Sequence, residues 1–89
     1  MPSERSARVA HRRWLRNRTV RSSLRTSRTR AERAITAAPN DAEEAVRRAL
    51  SALDRASRKG VIHPNKAART KSRLARRLNA AVGAQSGQG

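Results

Sequence analysis

The sequence predicts an all-α fold: a three-helix bundle with an extended, basic first helix. Three observations predict it. Ala, Arg, Leu and Glu dominate three long segments that contain no interior proline, and these are strong helix formers. Pro39-Asn40-Asp41 breaks the chain once, and Lys59-Gly60 through His63-Pro64 breaks it again. Within each segment apolar residues recur at helical spacing. At 89 residues one domain is expected, spanning about 1–83 with a disordered tail at 84–89.

The first helix is expected over about 3–37. From Val20 onward Leu24, Ala31, Ile35 and Ala38 share one narrow arc with it, while Arg21, Arg25, Arg28, Arg30 and Arg33 lie outside that arc. Before Val20 the pattern changes. Val9, Trp14 and Leu15 diverge, and Arg5, Arg8, Arg12, Arg13, Arg16 and Arg18 wrap much of the circumference. Such a half has no face to bury against protein. It stands away from the bundle, or frays, until phosphates surround it. At 1.5 Å per residue the whole helix spans roughly 50 Å.

The second helix is expected over about 41–59. Asn40 suits its N-cap, and Glu43 three residues on completes a capping-box pattern. Ala42, Ala45, Val46, Ala49, Leu50, Leu53 and Ala56 form one apolar stripe. Gly60 is a natural residue to stop it. The third helix is expected over about 64–82, with Pro64 in its first turn and Gly83 at its end. Ala67, Leu74, Ala75, Leu78, Ala81 and Val82 share its apolar face, opposite Lys66, Arg69, Arg73, Arg76 and Arg77. Lys71 falls inside the apolar arc and is expected to snorkel past its neighbours.

Charge points to a polyanion. Lys plus Arg total 22 against 6 acids, a formal net charge of +16. A compact fold this charged repels itself unless an anionic partner neutralises it. Residues 1–33 hold 11 basic and 2 acidic side chains, residues 40–59 hold 5 and 4, and residues 60–89 hold 6 and 0. The outer helices are therefore the binding elements, and the second helix is the brace. The core is small: Leu, Ile, Val and Phe make 13 of 89 residues, a level that with high charge marks a marginal free fold. The chain has no cysteine, which excludes disulfides and thiolate metal sites and fits an intracellular protein. It has no apolar run of membrane-spanning length and no signal-peptide core.

Nothing in the pattern suggests an enzyme, a cofactor, a metal site or a small-molecule substrate. His11 and His63 are the only histidines, four of six acids sit on the brace, and there is no glycine-rich phosphate loop. Nucleic acid is the obvious polyanion, and the candidate contacts to it fall in two groups. On the first helix they are Arg8, Arg12, Arg13, Arg16, Arg18, Arg21, Arg25 and Arg28 for phosphate. Asn17, Ser22, Ser23 and Thr26 sit among them with short polar groups that suit phosphate or ribose oxygens. Trp14, the only aromatic, stands between arginines, so stacking on a base or packing on a ribose is favoured over burial in a core. On the turn and third helix the candidates are His63, Asn65, Lys66, Arg69, Lys71, Ser72, Arg73 and Arg76. For His63, capping or local packing of the third helix is preferred over nucleic-acid contact.

Two stretches resemble the bacterial small-subunit ribosomal protein S-twenty family. Leu15-Arg16-Asn17-Arg18-Thr19-Val20-Arg21-Ser22-Ser23-Leu24-Arg25-Thr26 is similar to its basic LRNKAVKSSLKT pattern. Lys59-Gly60-Val61-Ile62-His63-Pro64-Asn65-Lys66-Ala67-Ala68-Arg69, continuing through Lys71-Ser72-Arg73-Leu74-Ala75, is similar to its KGVIHKNxAARxKSRLA segment. The second stretch is the more specific, because it joins a turn to a helix start. The likeness covers roughly residues 12–82. The first ten residues depart from the family's usual opening, and Trp14 stands where a basic or small residue is common. The resemblance implies a three-helix bundle and a cytoplasmic, ribosomal protein, monomeric within the ribosome. It also implies direct binding to 16S ribosomal RNA, at the 5′ domain and the lower part of the long 3′ minor-domain helix.

The reading is thus a structural constituent of the small ribosomal subunit that stabilises 16S RNA folding through arginine–phosphate contacts. Without the resemblance, a nucleoid-type basic DNA-binding protein is the alternative. A membrane-active basic peptide is a weaker third, because the basic half of the first helix lacks an apolar face.

Overall fold

The computed structural model describes residues 3–86. Among them are three α-helices, one short 3-10 turn and no strand. Helix α1 spans Glu4–Ala37, the 3-10 turn Pro39–Asp41, α2 Glu43–Arg58 and α3 Pro64–Ser86. The fold is an all-α bundle. It is strongly elongated, 66 × 21 × 14 Å, because α1 runs 34 residues and only its second half has helices beside it.

Ser3 starts α1: its Oγ accepts a hydrogen bond from the Ser6 N–H at 3.2 Å. That satisfies one of the first-turn donors that no helix can satisfy internally. Every described residue before Asn17 is exposed. Burial begins with half-buried Val20 and Leu24 and is complete at Ala31 and Ile35. The packed arc matches the apolar arc read from Val20 onward. Ser27 is half-buried beside it.

The core joins Ala31 and Ile35 of α1, Ala42 at the turn, Val46, Ala49 and Leu53 of α2, and Leu74 of α3. Leu24, Leu50, Ile62, Leu78 and Ala81 pack around it. All seven residues of the expected α2 stripe are buried or half-buried. α2 packs more extensively on each neighbour than α1 and α3 pack on each other. Its role is that of the brace. Three of the seven core residues are alanine, so the helices approach closely, but little apolar area is removed from water per residue.

Three expectations change in the structure. Asn40 does not cap α2. Pro39-Asn40-Asp41 forms a 3-10 turn instead, with Asp41 N–H donating to the Ala38 carbonyl and Ala42 N–H to the Pro39 carbonyl. The N-cap is Ala42, with no side-chain hydrogen bond. Burial decides this: the turn places Pro39 and Ala42 inside the bundle, where an Asn40 cap would not. α3 also continues past 82 to Ser86. Gly83 does not end it, and 84–86 are helical rather than a disordered tail; 87–89 lie outside the described residues. A helical glycine costs about 1 kcal/mol relative to alanine. Half-buried Leu78, Ala81 and Val82 in the turns before it hold the helix in place. Lys71 does not simply snorkel into solvent: its Nζ lies 2.6 Å from Asp54 Oδ1 on α2.

Gly60 ends α2 as expected. It takes φ +76, a region that costs an L-residue roughly 1–2 kcal/mol. The Gly60 N–H donates to the Ser57 carbonyl at 3.1 Å, and the Val61 N–H to the Ala56 carbonyl at 3.0 Å. This is the Schellman arrangement, with the buried pair Val61 and Ala56 as its apolar contact. Space is open around Gly60, so Gly60→Ala is expected to cost only the backbone strain, about 1–2 kcal/mol. The shift of the urea midpoint at unchanged slope measures it.

Candidate nucleic-acid interface

Of the 22 basic side chains, all but Lys71 are exposed. Five make ion pairs within the chain: Arg8–Glu4, Arg28–Glu32, Arg47–Glu43, Arg48–Glu44 and Lys71–Asp54. Four of these are helical i,i+4 pairs on open surface, worth about 0.3–0.5 kcal/mol each. The Arg8–Glu4 contact is long at 4.0 Å. Among the described residues the other cations have no acidic partner within 4 Å. On α1 they are Arg5, Arg12, Arg13, Arg16, Arg18, Arg21, Arg25, Arg30 and Arg33; at the end of α2 they are Arg55, Arg58 and Lys59; on α3 they are Lys66, Arg69, Arg73, Arg76 and Arg77. Arg8, Arg12 and Arg16 follow one another at i,i+4, as do Arg21 and Arg25. Each such like-charge pair destabilises a free helix by about 0.2–0.5 kcal/mol.

The fold sorts these cations into two regions. In the first, Arg8, Arg12, Arg13, Arg16 and Arg18 surround the projecting half of α1, with exposed Trp14 among them. Trp14 is 54% exposed, so it is not a core residue. His11 stacks on it, with ring centroids 6.0 Å apart and planes 19° from parallel. The Arg18 guanidinium lies 5.5 Å from its ring centroid, within cation–π range. The i−3 and i+4 spacing makes this pre-formed stack a direct product of helical geometry.

In the second region, α1 and α3 come together. Arg21, Arg25 and Arg28 line a groove with His63, Lys66 and Thr70. A neighbouring cleft joins Arg28 to Arg73 and Arg77. Arg77 lies outside the candidate set yet lines this cleft; its place on the basic face of α3 was the signal. Arg30 was also outside the set. It borders a shallow concavity with Arg18, Ser22, Ser23 and Thr26.

Not every candidate is equally free. The His63 Nδ1 accepts from the Asn65 N–H at 3.1 Å, capping α3. With Nδ1 an acceptor, the neutral ring carries its hydrogen on Nε2, which stays free to donate. Thr26 donates its hydroxyl to the Ser22 carbonyl at 3.1 Å. It keeps acceptor lone pairs, which suit a ribose hydroxyl better than a phosphate. Asn17 is half-buried, while Asn65, Ser72, Arg69 and Arg76 are exposed. Lys71 spends its charge on Asp54. The projecting half of α1 and the end of α3 near Arg76 are not brought together. Among the described residues, no group of three His, Cys, Asp or Glu side chains could hold a metal ion, and no helix is long and apolar enough to cross a membrane.

Comparison with known proteins accounts for this arrangement. The family profile for Ribosomal protein S20 matches residues 2–79. Small ribosomal subunit protein bS20 of Roseiflexus sp. (strain RS-1) is 50% identical over 82 residues, covering 92% of this chain and 90% of the relative. The protein of the same name from Thermomicrobium roseum is 48% identical over 96 residues, covering 100% and 95%. That from Heliobacterium modesticaldum is 45% identical over 87 residues, covering 92% and 99%. The matched span takes in all three helices and both basic regions, and the chain belongs to the ribosomal protein S20 family.

Proposed function

We propose that this chain is a structural constituent of the small ribosomal subunit, that it binds 16S RNA directly, and that arginine–phosphate contacts hold it there. The observation that carries the reading is the layout of unpaired cations: two arrays, on α1 and α3, held in register by a nearly neutral α2. Its family is one of ribosomal structural proteins, not of enzymes. It acts as a monomer within the cytoplasmic ribosome.

The division of labour follows from the geometry. The bundle fixes where Arg21, Arg25, Arg28 and the α3 cations sit, so it presents a rigid array matched to RNA shape. Shape is what A-form helices offer, because side chains do not reach into their deep major groove. The projecting half of α1 is charged on most sides, so it lies between RNA segments that neutralise it from several directions. By resemblance, those segments belong to the 5′ domain and the lower 3′ minor-domain helix.

Trp14 carries a separate prediction. Its exposure and its setting among arginines suit stacking on an RNA base or packing on a ribose. Trp14→Ala is expected to weaken RNA binding by roughly 5- to 150-fold, the range of about 1–3 kcal/mol per stacked base. Thermal stability of the free protein stays within about 0.5 kcal/mol, as for other exposed positions. Tryptophan emission checks the premise: solvent-exposed and quenchable in the free protein, shielded on RNA.

Footprinting on 16S RNA tests the whole reading. The full chain protects a compact set of sites, and a truncation beginning at Arg12 keeps those contacted by the bundle. Protection scattered uniformly over the RNA would overturn it.

A further inference from the structure

The groove between α1, α3 and the Gly60 turn combines two chemistries that a phosphate contact alone does not need. Its floor is apolar: Leu24 from α1, Leu53 from α2, Val61 and Ile62 from the turn. Its rim is cationic: Arg21, Arg25 and Arg28 on one side, Lys66 on the other, with His63 beside it. Among the described residues no carboxylate lines it. Its volume is about 440 Å³, within the range of small-ligand sites. It is half-open, so a group attached to a longer polymer can enter.

We propose that this groove receives one unstacked nucleotide of the bound RNA, with the base on the apolar floor and its flanking phosphates on the rim. The proposal rests on the RNA-binding reading above and assigns a role to this groove within it. A continuous RNA backbone would satisfy the arginines but leave the exposed parts of half-buried Leu24 and Ile62 uncovered. An apolar peptide or acyl chain would cover the floor but leave the rim cations desolvated and unpaired, which is costly. Of the groups that a bound RNA offers, an unstacked nucleotide joins a flat, largely apolar face to an anion. Arginines 21 and 25, one helical turn apart on α1, can stack on the base as well as bind phosphate. His63 contributes a defined donor, because its capping bond to Asn65 leaves Nε2–H for a base carbonyl or phosphate oxygen. The groove walls come from all three helices, so the site exists only in the folded bundle.

Methyl NMR of the full chain tests this with two probes: nucleoside 5′-monophosphates and inorganic phosphate. The nucleotides are expected to shift the Leu24, Leu53, Val61 and Ile62 methyl signals and to give cross-relaxation between them and base protons. Inorganic phosphate should leave those methyls in place. Ile62→Ala should weaken nucleotide binding about four- to fifteenfold, the worth of one or two buried methylene groups, with helicity by circular dichroism confirming the fold. Identical shifts from both probes would overturn the proposal. So would nucleotide effects confined to Trp14 with the groove methyls unmoved. Binding of a folded 16S RNA fragment, measured alongside, separates the two levels: if it persists while the groove stays silent, only the groove assignment falls; if it is absent, the RNA reading falls with it.

Discussion

Affinity for 16S RNA is expected to fall about 10³- to 10⁵-fold between about 50 and 200 mM salt, the scaling for roughly six to ten neutralised phosphates on duplex DNA. The supply of cations is ample: nine arginines on α1 and five basic residues on α3 lack an acidic partner among the described residues. Each phosphate contact releases condensed counterions, and salt reverses that gain. The slope therefore counts contacts. Removing an exposed cation such as Arg16 or Arg73 lowers the slope by about one without changing which RNA is preferred. Filter binding across a salt series measures both quantities. A flat response would remove the electrostatic basis of the proposed interface.

Leu74→Ala is expected to abolish stable folding of the free protein. Leu74 is 3% exposed and sits in the core cluster with Ile35, Val46 and Leu53. Truncating a buried leucine costs about 2–5 kcal/mol. A single small core rarely supplies more than about 3–5 kcal/mol in total, and alanine makes up much of this one. The variant should lose most of its helical signal at 25 °C when free. Because RNA binds only the folded form, saturating 16S RNA should restore helicity by mass action, at reduced apparent affinity. Circular dichroism with and without RNA measures this. A free variant as helical as the wild type would show that the core carries less of the stability than its burial indicates.

Most of the fold is legible in the sequence because most of it is decided by helical periodicity. The α2 stripe from Ala42 to Ala56 and the α3 face from Ala67 to Val82 pack as read. Gly60 stops α2 because its positive φ has few other tenants. What periodicity does not carry is tertiary compensation. Asn40 and Glu43 make a good local capping signal, but burying Pro39 and Ala42 outweighs it, and the chain turns through a 3-10 segment instead. Gly83 is a good local stop, but apolar anchoring at Leu78 and Val82 carries the helix through it. Lys71 looks misplaced in its own helix; its partner, Asp54, lies 17 residues away on another.

The interface was legible in a similar, uneven way. Bulk charge located the cations on the outer helices, and the fold left them exposed. The lone aromatic could be read as surface or core until its exposure was known, and its contacts with His11 and Arg18 follow from spacing alone. The groove could not be read, because its walls come from Arg21, Leu53 and Ile62, which are distant in sequence. Which arginines face each other is a property of how α2 holds α1 against α3.

The central claim is that this arrangement, not net charge alone, selects the partner. Competition binding at one fixed salt concentration tests it most directly, with a folded fragment of 16S RNA against duplex DNA of equal length. The account predicts that the RNA fragment displaces the DNA and keeps its preference when salt is raised. Comparable binding to both would contradict it and leave a non-specific, nucleoid-type DNA binder.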